Sequence, residues 1–193
     1  MTSLYLASKS PRRRELLEQI GVAFEVIDVD VDESQEEDES PSAYVRRVAL
    51  SKARAGYIKA ADSIPVLAAD TTVVLDGRLL GKPGDRNEAA AMLTSLAGRS
   101  HEVLTAVALA HTEERVMLNR SRVCLAPLSP DRIAAYCDGE EPYDKAGGYG
   151  IQGRAAAFIT RLEGSYSGVM GLPLYETSIL LASLETIETR VSS

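Results

Sequence analysis

Leu4-Tyr5-Leu6-Ala7-Ser8-Lys9-Ser10-Pro11-Arg12-Arg13-Arg14 carries the chain from an apolar run straight into a helix. Thr2 to Ala7 reads as a buried strand. Ser10 followed by Pro11 is an N-cap with proline at the first helical position, and Leu16, Leu17 and Ile20 form an apolar stripe that Gly21 ends. Helix N-termini carry partial positive charge and free N–H groups, so acidic residues usually fill the first turn. Here three arginines fill it. That is unfavourable unless an anion sits among them, and in α/β folds phosphates bind at a strand-to-helix corner. A solvated basic face is the alternative reading.

Outward from this corner, strand and helix signals alternate, which predicts an α/β sheet rather than a bundle or a sandwich. Phe24 to Asp30 reads as a second strand, leading into an acidic loop, Val31 to Ser40, whose charges are expected to be mostly solvated. Ser40-Pro41 opens a helix to about Ala60. Ile64 to Asp70 reads as a continuous apolar strand, and Thr72 to Leu75 with Leu79-Leu80 flank an Asp76-Gly77 hairpin turn. Asp85 with Glu88 forms a capping box for a helix ending at Gly98. His101 to Ala110 and Val116 to Leu125 read as a long antiparallel pair. Ser129-Pro130 caps a short helix to Cys137, Asp144 to Gly153 is glycine-rich and irregular, Ala155 to Leu162 reads as a strand, and Pro173 starts a helix through about Leu184. No repeat or linker divides the 193 residues, so residues 1–193 are expected to form one domain.

A net charge of -7 argues against nonspecific nucleic-acid binding and makes the arginine run a local exception. No apolar stretch reaches the ~20 residues of a membrane span. No signal-peptide pattern opens the chain, and Cys124 and Cys137 suit neither a disulfide framework nor a zinc site. The expected setting is the reducing cytoplasm.

Asp70 ends an apolar strand at the place where α/β sheets put their ligands. There a carboxylate can hold a metal ion, take a proton from water, or merely cap a turn. On the helix from Pro41, Lys52 follows Val45, Val48 and Ala49 at helical spacing and precedes Gly56, so it points inward, unlike Arg46, Arg47 and Arg54. An inward lysine either snorkels or meets an anion. Lys82, between Gly81 and Pro83, sits in a tight turn that can hold it against a ligand. In the segment Asp144 to Gly153 the glycines permit close backbone approach, while Tyr149 and Gln152 offer stacking and amide hydrogen bonds to a planar ring. Neither a P-loop nor a dinucleotide fingerprint is present.

Seven elements occur in order: Ser8-x-Ser10-Pro11-Arg12-Arg13, Val31-Asp32-Glu33, Lys52, Ala69-Asp70-Thr71, Gly81-Lys82-Pro83, Asp144-Lys145-Ala146-Gly147 with Gly150-Ile151-Gln152-Gly153, and Gly171-Leu172-Pro173. From Leu4 to about Leu181 this set resembles the Maf family of nucleoside triphosphate pyrophosphatases. The resemblance implies an α/β fold with a long central mixed sheet flanked by helices, in two lobes around a cleft, like the inosine triphosphate pyrophosphatases (Maf/Ham1 fold). It maps the family's polar residues onto Ser8, Arg12, Arg13, Glu33, Lys52, Asp70 and Lys82, with Asp70 as the catalytic aspartate. The positions that separate the family's subgroups by base preference are here Arg12, Thr71 and Gln152, which look like the dTTP/UTP subgroup rather than the 7-methyl-GTP one. Gly164-Ser165-Tyr166-Ser167 also resembles the pyrimidine branch, whereas Arg154 stands where that branch usually has an apolar residue. The resemblance further implies a homodimer.

The residue chemistry agrees with that implication. Cleaving between the α and β phosphates needs cations on the polyphosphate, a divalent ion and an oriented water. Arg12, Arg13, Lys52 and Lys82 would supply the cations, and Glu33 and Asp70 would hold Mg²⁺ or Mn²⁺. Competing readings are the same reaction on 7-methyl-GTP or a damaged purine nucleotide, a non-catalytic nucleotide sensor acting on cell division, and a module binding phosphoprotein or acidic peptide.

Overall fold

The computed structural model describes residues 4–60 and 63–191, with side chains as far as residue 184. In chain order the elements are β1 (Tyr5–Leu6), α1 (Pro11–Gln19), β2 (Glu25–Val26), α2 (Pro41–Ala60), β3 (Val66–Leu75), β4 (Arg78–Leu80) and α3 (Arg86–Leu96). There follow β5 (Ser100–Ala110), β6 (Glu114–Leu125), α4 (Pro130–Cys137), β7 (Ile159–Glu163), α5 (Tyr166–Met170) and α6 (Leu174–Val191). The strands form one mixed seven-stranded sheet in the order β2-β1-β3-β5-β6-β7, with β4 also on β3. β1 runs parallel to β2 and β3, and the remaining pairings are antiparallel. The expected α/β sheet flanked by helices is thus present. Among the described residues no helix is long and apolar enough to cross a membrane.

The sheet's alternation sorts the core. Val66, Ala68 and Val74 of β3 face α2, packing with Val45, Ala49 and Ala53. On the opposite face, Leu67 and Ala69 pack with Leu16 and Leu17 of α1 and Leu180 of α6, whereas Val73 and Leu75 join Leu93 and Leu96 of α3 and Ile133 of α4. This second face is therefore divided in two, and the division falls at Thr71 and its β5 neighbour Thr105.

Several boundaries differ from the sequence reading. Asp70 does not end a strand: β3 continues through it to Leu75, because Thr71-Thr72-Val73-Val74 are β-branched and pair with β5 along the whole length. The expected first strand shortens to Tyr5–Leu6, with Thr2 and Ser3 outside the described residues. The second shortens to Glu25–Val26, since β1 leaves the sheet and only Ile27 N still reaches Leu6 O, at 3.0 Å. Residues 154–158 form a 3₁₀ turn instead of the start of β7, with the Glu141 carboxylate accepting from Arg154 N and Ala155 N. Ser10 stands at the N-cap of α1, but its side chain makes no capping bond; Ser8 Oγ accepts from Ser10 N instead, at 3.2 Å.

Candidate active site

One edge of β3 is shared. β1 pairs with Val66 and Leu67, β4 pairs with Val73 to Leu75, and the stretch between them has no strand partner on that side. The gap opens into a cleft of about 530 Å³. Asp70 therefore reaches ligand space from the middle of a strand, where the sheet changes partner, rather than from a strand end.

All nine residues singled out from the sequence line this cleft. Ser8, Arg12 and Arg13 come from the β1–α1 corner, Glu33 from the acidic loop and Lys52 from α2. Asp70 and Thr71 come from β3, Lys82 from the turn after β4, and Gln152 from the glycine-rich segment. The inward lysine meets its anions: Lys52 Nζ donates to Asp70 Oδ1 at 2.8 Å and lies 2.9 Å from Glu33 Oε1. Asp70 is only 6% exposed. Burial pushes its carboxyl above the usual range, the charges of Lys52 and Arg13 pull it back, and Glu33 adds a small upward push. No described residue hydrogen-bonds its second oxygen, Oδ2.

Arg13 works from the other face of β3. Its Nε donates to Gly171 O (2.7 Å), Nη1 to Ser8 Oγ (3.3 Å) and Nη2 to Thr71 Oγ1 (3.3 Å). Burial lowers its pKa, opposed by the charge of Asp70. The Thr71 hydroxyl is also 3.0 Å from Thr105 Oγ1, so it is engaged inside the protein rather than free toward the cleft. Arg12 reaches to the far wall, donating from Nη1 to Asp144 Oδ2 at 2.7 Å. Asp144 also binds Lys145, whose Nζ donates to Glu141 O at 2.8 Å. Lys82 is exposed and pairs with no carboxylate among the described residues.

The glycine-rich segment behaves as expected in one respect and not in another. Glu141 accepts from Tyr136 Oη at 2.9 Å and from the backbone N–H groups of Arg154 and Ala155, just past the segment, and a Cβ on Gly153 would collide with its carboxylate. Gln152 is left exposed at the cleft wall. Tyr149, read as able to stack on a ligand ring, also lines the cleft but is only 5% exposed and packs with the core. Its hydroxyl is 2.6 Å from His101 Nε2, and the two rings meet edge to face at 5.4 Å. Burial pulls His101 down to about 4.

The sequence reading quoted Asp144 and Lys145 within a motif without giving either a role, took Arg47 as outward-facing, and missed Tyr44 and Glu141. Tyr44 and Arg47 are three residues apart on α2, the one local sign that both face the same side. Asp144 gains its role only through Arg12, 132 positions away, and Glu141 through the backbone of Arg154 and Ala155.

Among the described residues no three His, Cys, Asp or Glu side chains cluster as a metal site. Glu33 and Asp70, two hard oxygen donors already converging on one ammonium, fit a divalent ion that keeps waters and takes further oxygens from substrate phosphates, as Mg²⁺ does.

Residues 3–184 match the family model described as Maf-like protein. A dTTP/UTP pyrophosphatase of Methylobacillus flagellatus is 56% identical over 184 residues, covering 94% of this chain and 92% of that protein. A nucleoside triphosphate pyrophosphatase of Xylella fastidiosa is 53% identical over 186 residues, covering 94% and 98%. The Ham1 protein of Staphylococcus aureus shows a partial likeness, with a TM-score of 0.44 and 17% identity over 64% of this chain and 71% of its own. With the ordered motifs gathered in one cleft and a family match over nearly the whole length, the chain belongs to the Maf family.

Proposed function

We propose that this protein hydrolyses nucleoside triphosphates between the α and β phosphates, with dTTP and UTP as its preferred substrates, releasing the nucleoside monophosphate and diphosphate. The observation that carries the reading is the buried Asp70 carboxylate and the more exposed Glu33 carboxylate meeting on Lys52, in a cleft whose walls also bear Arg12, Arg13 and Lys82. A site for phosphates alone would need the cations but not a buried carboxylate whose pKa burial pushes up. The names of the relatives support the choice of base.

In this reading Arg13, fixed by Gly171, Ser8 and Thr71, holds the polyphosphate without reorganising, and the exposed Lys82 of the cleft wall adds a further cation. The uncapped start of α1 offers its N–H groups to the same anion. Asp70 Oδ2 accepts the proton of the water that attacks Pα, while the bond from Pα to the bridging oxygen breaks toward the diphosphate. Glu33 and Asp70 would hold Mg²⁺ or Mn²⁺, which supplies charge neutralisation on the phosphates. Gln152 and Arg12 face the base. The amide of Gln152 both donates and accepts, matching the edge of uracil or thymine.

The test is turnover across a nucleotide panel with diphosphate distinguished from orthophosphate. UTP and dTTP should be turned over fastest and give diphosphate. Faster turnover of 7-methyl-GTP would overturn the base preference, and release of orthophosphate would overturn the bond cleaved.

A further inference from the structure

The acidic loop holds six acids in the eight residues 32–39 and no apolar side chain. Such a segment repels itself and has nothing to bury, so on its own it would not keep one carboxylate in place. Yet Glu33, whose side chain is 52% exposed, arrives 2.9 Å from Lys52 Nζ.

The loop is wrapped around one guanidinium. Arg46 of α2 is exposed, but its neighbour Arg47 is partly buried beneath the loop. Arg47 Nε donates to Glu39 Oε1 at 2.7 Å and Nη2 to Glu39 Oε2 at 2.8 Å, a bidentate charged pair whose carboxylate is almost fully buried. Nη2 also donates to Ser34 O at 2.8 Å, and Glu36 Oε1 lies 3.4 Å from Nε. One turn earlier, Tyr44 Oη donates to Glu33 O at 3.0 Å, with the Arg47 guanidinium 5.7 Å from the centre of the Tyr44 ring. The backbone is thus gripped at Glu33 itself and at the next residue.

We propose that Arg47, acting with Tyr44, is the positioning residue that delivers the Glu33 carboxylate to Lys52 and Asp70. α2 then carries both halves of the device, Lys52 on its inward stripe and the loop clasp on its flank. The proposal rests on the reading of Glu33 as part of the reaction centre. A lysine at position 47 could not span both Glu39 oxygens and the Ser34 carbonyl, so the fork geometry matters as well as the charge.

A double-mutant cycle separates positioning from general support. Arg47→Gln should lower kcat about 10–100-fold, as loss of an outer partner does for a ligating carboxylate. KM should change little, because Arg12, Arg13 and Lys82 are untouched, and Arg47→Lys should not restore kcat. In a Glu33→Gln background, Arg47→Gln should cost no more than about a further twofold. Full kcat in Arg47→Gln, or losses that multiply in the double variant, would overturn the proposal. Wild-type kcat in Glu33→Gln alone would instead overturn the reading of the site, and the proposal with it. Melting temperatures are measured throughout. If Arg47→Gln does not fold, Glu39→Gln, which removes the other half of the clasp, carries the same cycle with the same expectations.

Discussion

The ammonium of Lys52 on α2 lies 2.8 Å from Oδ1 of Asp70 on β3, and this contact holds a buried carboxyl closer to its ordinary acidity than burial alone would leave it. Lys52→Met removes the opposing charge while keeping much of the volume. Asp70 should then titrate higher, and the acid limb of kcat/KM should move to higher pH by about 1–3 units, the usual effect of one close opposite charge on a carboxyl. A pH–rate profile checks this. An acid limb that stays in place would mean that Asp70 does not set it.

The same two elements also meet one helical turn away, at Gly56 and Val66. A Cβ added at Gly56 would lie 2.7 Å from Val66 Cγ1 and 3.3 Å from Ala7 Cβ. Gly56 shares the face of Lys52, and Val66 the face of Asp70, so this contact sets how near the ammonium comes to the carboxylate. Gly56→Ala should cost about 1–3 kcal/mol of stability by overpacking and reduce turnover as well. Made on a Val66→Ala background it should cost less, since the obstructing methyl is gone. Equal costs in denaturant unfolding on both backgrounds would contradict the packing argument.

His101 predicts a pH dependence of stability. Its folded pKa is pulled down to about 4 by burial, against an ordinary value of 6.5. Above pH 6.5 it is neutral in both states, and its contribution is fully present. As pH falls from 6.5 toward 4 the unfolded chain takes up a proton that the folded protein refuses, so stability is lost, by on the order of 3 kcal/mol at most. Melting between these pH values should be flatter for His101→Gln than for wild type. An unchanged acid slope would remove His101 from this role.

Gln152 is exposed at the cleft wall on a segment held from behind by Glu141. Gln152→Glu replaces an amide with a group that only accepts and would face ring carbonyls. Preference for UTP and dTTP over other triphosphates should weaken, by about the tenfold or more that an unmatched buried polar contact costs. A nucleotide panel that keeps its ranking would take Gln152 out of base selection.

How much of this was legible in the sequence depends on the range of the interaction. The helical period alone turned Lys52 inward, because spacing on a helix fixes direction within a turn or two. The unusual charge of the α1 start pointed to an anion for similarly local reasons. The continuation of β3 through Asp70 was misread because a carboxylate after an apolar run looks like a strand end, while the pairing with β5 that carries the strand on comes from distant residues, Asp70 on Ala106 through Val74 on Glu102. Arg47 was read as solvent-facing because its anions lie on a loop whose path the arginine itself determines. Asp144 on Arg12 is separated from it by 132 positions. Tyr149 lines the cleft as well, but the engagement of its hydroxyl with His101, 48 positions away, carries no local signal at all.

The central claim is that Asp70 takes the proton from the attacking water, and Asp70→Asn tests it most directly. The change removes a charge at nearly constant volume from a site 6% exposed, so the protein should melt close to wild type. Arg12, Arg13, Lys52 and Lys82 remain, so nucleotide binding should survive better than turnover. With UTP or dTTP, kcat should fall about 10²–10⁴-fold, the usual cost of losing a general base. A folded Asp70→Asn protein that keeps more than about a tenth of wild-type kcat would contradict the account and move the base to Glu33.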